Sequence, residues 1–133
     1  MDKIKKIKMS ELRQMIREEY RFLNEDARHE GNVVSSADVV MRYPSDWESS
    51  LVGSDDGSEA ISLTKDGDDD KEIMISIRDS QYNIIVTSDS GRKYKKVVSQ
   101  KVKLSNDARS DAKKFASWIK QNLPKAIKIY NGL

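Results

Sequence analysis

Between Lys71 and Leu104 apolar and polar residues alternate with a period of two. Ile73, Ile75 and Ile77 alternate with Met74, Ser76 and Arg78; Tyr82, Ile84 and Val86 alternate with Asn83, Ile85 and Thr87. This period predicts strands that bury one face. The breaks at Arg78-Asp79-Ser80 and at Ser88 to Gly91 predict tight turns, and hence a meander of three antiparallel strands. The third strand, Arg92 to Leu104, is long, and we place a bulge near Val97-Val98. Its alternation predicts that Tyr94, Val98, Val102 and Leu104 face the core. Lys93, Lys95, Lys101 and Lys103 would then share the outer face.

Two further strands are expected upstream. Glu59 to Thr64 points Ile61 and Leu63 inward, and Lys65 to Asp70 reads as its hairpin loop. Ala37 to Tyr43 alternates Val39, Met41 and Tyr43 and ends at Pro44, which cannot donate to a ladder. Ser45 to Ser58 reads as a loop. Trp47 within it is either a lid on the core edge or a contact residue.

Helical spacing brackets the strands. Met9, Leu12, Ile16, Tyr20, Leu23 and Ala27 recur three or four apart, after an N-cap at Ser10. This amphipathic helix ends at Gly31, and Asn32 to Ser36 follows as a linker. Its narrow stripe suits docking on a partner as well as packing on its own sheet. At the other end Ser105 or Asn106 caps a helix from Asp107 to Gln121, whose Ala108, Ala112, Phe115, Ala116, Ile119 and Leu123 share a face. Pro124 interrupts it, and a short helix from Leu123 to Tyr130 follows, stopped by Asn131-Gly132. The predicted class is α+β: an N-terminal amphipathic helix, an antiparallel meander of about five strands, and a C-terminal helix packed on one sheet face. Residues 1–31 form a helical segment that can detach from a compact domain over residues 37–133.

Composition narrows the chemistry. The 133 residues are 37% hydrophobic and 35% charged, with no cysteine and a net charge of +2. Disulfides and thiolate metal sites are excluded. No apolar run has the roughly 20 residues of a membrane helix. The lysine-rich N-terminus has no apolar stretch behind it, so no signal peptide is expected. The charge is unevenly placed. Asp46 to Glu72 holds ten acidic residues and two lysines, whereas Arg92 to Lys103 holds six basic residues and no acid. That basic strand either neutralises phosphates or is a solvated edge guarded by its lysines.

Catalytic patterns are not found. His29, the lone histidine, is expected exposed at a fraying helix end without a partner. No nucleotide-binding glycine pattern occurs. Asp66-x-Asp68-x-Asp70 has alternate acids but lacks the glycine and glutamate of a calcium loop, and is expected to be solvated. No metal, cofactor or catalytic residue is expected.

Two resemblances add context. The stretch IKMSELRQMIREEYRFLNE resembles N-terminal helices recurring on small proteins of T-even-like marine tailed phages. Prohead proteins of such phages are cut after Leu/Ile-x-Glu, usually before a small residue. Leu23-Asn24-Glu25 matches, which makes Glu25 the implied cleavage position, although Asp26 departs from the rule. The resemblance implies a virion or capsid-assembly protein, located in the host cytoplasm or the particle. Residues 59–127 are similar, in order of elements only, to the single-stranded-DNA-binding transcriptional coactivators. The expected function is therefore non-enzymatic: a structural or interaction protein that docks on a protein partner through Leu12, Ile16, Tyr20 and Leu23. The alternative is a single-stranded nucleic-acid-binding module using Lys93, Lys95, Lys101 and Lys103.

Overall fold

A computed structural model describes residues 27–53, 57–68 and 70–133. The described chain begins in a helix over residues 27–40, here α1. Five strands follow: β1 (Trp47–Gly53), β2 (Glu59–Lys65), β3 (Glu72–Arg78), β4 (Gln81–Ser88) and β5 (Lys93–Lys101). The helix α2 (Ala108–Asn131) closes the chain. The strands pair in sequence order, each antiparallel to the next. The α+β class, the antiparallel meander and the C-terminal helix against the strands agree with the sequence reading.

The isoleucine pattern of β3 sets the layers. Ile73, Ile75 and Ile77 are fully buried, as are Ile61 and Leu63 of β2 and Ile84 and Val86 of β4. Opposed residues in an antiparallel pair point to the same face. The register Leu63↔Ile73↔Val86 and Ile61↔Ile75↔Ile84 therefore gathers these side chains under the helices. α2 packs on β3, β4 and β5, bringing Phe115, Ile119, Ala126 and Tyr130 into the same core. The opposite face is polar. There the Ser62 and Thr87 hydroxyls, from the two flanking strands, both donate to the Glu72 carboxylate.

Tight turns close the hairpins. Asp79 and Ser80 have φ of 52° and 56°, the left-handed pair that matches strand twist in a two-residue hairpin. The Glu30 carboxylate accepts the Ser80 amide at 2.9 Å, so α1 braces this turn. A second left-handed pair, Asp89 and Ser90, turns β4 into β5, and Asp70 accepts the Ser90 amide at 2.9 Å.

Several local expectations are corrected. The helix does not stop at Gly31, residues 32–36 are not a linker, and residues 37–43 are not a strand. Glu30, Val33, Val34, Ala37 and Met41 are buried at helical spacing, while Val39 and Val40 are 83% and 60% exposed. The alternation of Val39, Met41 and Tyr43 was also compatible with a helix, and core burial at three-four spacing decides. Gly31 is there for closeness: a Cβ on it would lie 2.4 Å from the Gly57 carbonyl oxygen. A domain boundary across residues 31–37 would therefore cut a core helix. The residues read as a loop, 45–58, contain β1. Its first residue, Trp47, is 8% exposed and meets Tyr130 edge-on at 4.7 Å, which is the lid role.

The C-terminal helix also differs. Its N-cap is Asp107, whose carboxylate accepts the Arg109 amide at 3.0 Å; it is neither Ser105 nor Asn106. It runs unbroken through Pro124. An interior proline costs about 3 kcal/mol. Burial of Leu123 just before it and of Ala126 and Tyr130 beyond it offsets that, and Tyr130 is further held by its hydroxyl donating to Asp68 at 2.7 Å.

Gly31→Ala should destabilise the fold by about 1–3 kcal/mol through overpacking, despite alanine's better helix propensity. Val39→Lys, one turn or two away on the exposed side, should stay within about 0.5 kcal/mol of the parent. Urea unfolding of both variants checks this; a helix-stop glycine would give the opposite order of tolerance.

Candidate functional site

The docking residues Leu12, Ile16, Tyr20 and Leu23, and the cleavage position Glu25, lie outside the described residues. What the structure supplies is the segment they lead into. The described helix α1 is fastened to the domain by three kinds of contact. Val33, Val34, Ala37 and Met41 are in the core. Glu30 holds the β3–β4 turn. His29 reaches across to α2.

His29 is not the solitary exposed residue that was expected. Its Nε2 lies 3.0 Å from Asp111 Oδ2. A carboxylate can only accept, so Nε2 carries the proton in this contact. Asp111 is 2% exposed. Its oxygens also accept the Ser105 amide, at 3.1 and 3.0 Å, and the Ser105 hydroxyl at 3.0 Å. Burial pushes the Asp111 pKa up. The Ser105 amide, His29 and the Ser105 hydroxyl together outweigh it and hold the group below the usual carboxylate range. The order of contacts is His–Asp–Ser, with the carboxylate in the middle. The bonds described here put the acid, not the imidazole, on the Ser105 oxygen, so this is a clasp joining α1, the β5–α2 connection and α2. A lone histidine 82 residues away from its partner gives no local signal in sequence.

In the acidic loop Asp66 and Asp70 are exposed, and of its described acids Asp68 alone is tied to the helix. Asp68 accepts the Tyr130 hydroxyl at 2.7 Å and lies 3.7 Å from the Lys71 ammonium, and these contacts hold its pKa down. Among the described residues no three His, Asp or Glu side chains converge for a metal ion.

The basic strand is rearranged by the bulge. Ile84 opposes Val98 but Ile85 opposes Lys96, which leaves Val97 as the extra residue, where a bulge was expected. The extra residue reverses the facing of everything beyond it. Lys95 opposes Val86 and Lys93 opposes Ser88, on the helix side. Tyr94 opposes Thr87 and Lys101 opposes Gln81, on the other side. The four lysines therefore do not share one face. Tyr94, expected in the core, is 74% exposed. Val97, not Tyr94, is the buried apolar residue of the strand.

Beyond the bulge, the end of β5 and the adjoining face of α2 enclose an open groove of about 440 Å³. Gln100, Lys101 and Lys103 form one wall and Lys114, Trp118 and Gln121 the other. Trp118 Nε1 donates to Gln100 Oε1 at 3.0 Å, tying the walls together. Tyr82 lies beneath, with its ring 5.0 Å from Trp118. Asp111 also reaches this groove, but its oxygens are already engaged by Ser105 and His29. Lys101 borders the groove from a register position that faces the other side of the sheet, and Lys114 joins from the helix only through folding. No helix of the described residues is long and apolar enough to cross a membrane.

No known protein family, no curated protein and no solved structure matches this chain.

Asp111→Asn should cost about 1–3 kcal/mol at neutral pH, because it removes the charge that four donor contacts stabilise. The folded pKa is depressed, so this contribution is present above the unfolded value of about 3.9 and is lost as pH falls through the lower folded value. Urea unfolding at pH 7 should separate the variant from the parent, and the gap should narrow below about pH 4.

Proposed function

We propose that the protein is a non-enzymatic interaction or assembly protein whose N-terminal segment docks on a protein partner. The observation that carries this is the anchoring of α1. In sequence the stripe Met9, Leu12, Ile16, Tyr20, Leu23 and Ala27 runs in phase with Glu30, Val34, Ala37 and Met41. Glu30, Val34 and Ala37 are buried in the described helix, and Met41 just past its end. The same spacing that fastens α1 to the domain thus continues upstream in Leu, Ile and Tyr. A partner gripping Leu12, Ile16, Tyr20 and Leu23 would hold the domain through a segment already braced to it. The tailed-phage setting rests on the N-terminal resemblance alone. Deletion of residues 1–26 should leave a cooperatively folded domain that no longer co-purifies with particle components. Deletion through residue 31 should also weaken the fold, since it removes His29 and Glu30. An N-terminally truncated protein that keeps its association would sink the reading.

A second reading is favoured by Tyr94. It stands exposed on the sheet face that also carries Lys96 and Lys101 of the same strand. Single-strand binders pair such cations with an aromatic surface on which a base stacks. Lys96, Lys101 and Lys103 would meet phosphates, so log affinity should fall with log salt at a slope of about −2. Tyr94→Ala should weaken binding of a labelled oligonucleotide about tenfold, as expected for one lost stacking contact. Fluorescence anisotropy across a salt series decides it; no binding at low salt removes the reading.

A further inference from the structure

The two edges of the sheet are built differently. β5 carries Lys93, Lys95, Lys96 and Lys101 and the Val97 bulge, the usual protections against pairing with another strand. β1, WESSLVG, has no lysine, no proline and no register shift against β2. All its residues after Trp47 are exposed, including Leu51 at 43% and Val52 at 48%. Among the described residues no strand pairs with its outer side.

The bonding phase of that edge follows from one contact. The Asp66 amide donates to the Asp46 carbonyl at 2.9 Å, one step before the Trp47↔Lys65 pair. Hydrogen-bonded and non-bonded pairs alternate along an antiparallel ladder. Glu48, Ser50 and Val52 therefore bond to β2, while Ser49 and Leu51 point their amides and carbonyls outward. The Val102 amide donating to the Ser80 carbonyl at 2.9 Å, at the opposite edge, is in phase with this alternation across the sheet.

We propose that β1 pairs antiparallel with β1 of a second copy of this chain, about a two-fold axis through Ser50. This register is the one that uses all seven residues of the strand. It matches the outward groups of Ser49 to those of Leu51 on the other copy. It sets the small Ser50 against itself. Glu48, the strand's single charge, falls opposite Val52, so no like charges meet. The same operation on β5 would bring lysines together across the join. A two-fold axis perpendicular to the sheet keeps both copies' helices on one side, giving a continuous ten-stranded layer, five strands from each copy.

Sedimentation equilibrium of the full chain tests the assignment. The mass should rise from one copy towards two with concentration, reaching the dimer by about 1 mM, the weak limit expected of a strand-sized contact. Leu51→Pro removes an outward amide and leaves the β2 ladder intact, so the variant should stay folded and raise the dissociation constant at least about tenfold. Leu51→Lys should do the same by placing a charge on the edge. Lys95→Glu with Lys96→Glu, on the other edge, should leave the dimer unchanged. A chain that stays monomeric throughout overturns the proposal. So does a dimer that survives both Leu51 substitutions, or one that is lost on deleting residues 1–26 instead.

Discussion

The side chains of Ile73, Ile75 and Ile77 are the constraint on which the other elements converge. They lie on the central strand, are wholly excluded from solvent, and have neighbours on both flanks. A strand's side chains alternate strictly, so a one-residue slip would exchange this row for Met74 and Ser76. The cost of that exchange fixes the register of β2 and β4. It also places the helix-facing surface on which α2 lies. The left-handed turn residues and their braces from Glu30 and Asp70 are local consequences of a register already set by burial.

Where a segment obeyed a single period, its structure was legible in sequence. β2, β3 and β4 are such segments. Residues 37–43 were not, because Val39, Met41 and Tyr43 fit a strand while Val33, Val34, Ala37 and Met41 fit a helix. Only the tertiary core chooses between them, since it buries Met41 and leaves Val39 in water. Gly31 and Pro124 misled for a related reason. Each is a poor helix residue on its own, and each is retained because packing beyond it outweighs the local cost.

The candidate sites were legible in part. The charge concentration in β5 and its bulge could be read from the chain, but not which lysines would stand together. That depends on the facing of each half of the strand, which a shift of one residue inverts. Lys114 entered the groove from a helix whose exposed lysines look alike in sequence. The Asp111 clasp left no trace at all, since its members are scattered over 82 positions and each is an ordinary residue by itself.

The bulge at Val97 makes β5 two strands in one reading frame. Removing Val97 would set Lys96 and Val98 side by side, still opposite Ile85 and Ile84, so regular pairing with β4 would return with both faces kept. Val98 and Gln100 would stay on the helix side and Ser99 and Lys101 on the other, and only the buried Val97 side chain would be lost. Natural variation of this strand is therefore expected to tolerate the loss of one residue at the bulge, whereas a loss inside β3, which has no extra residue to give up, would turn over every side chain beyond it.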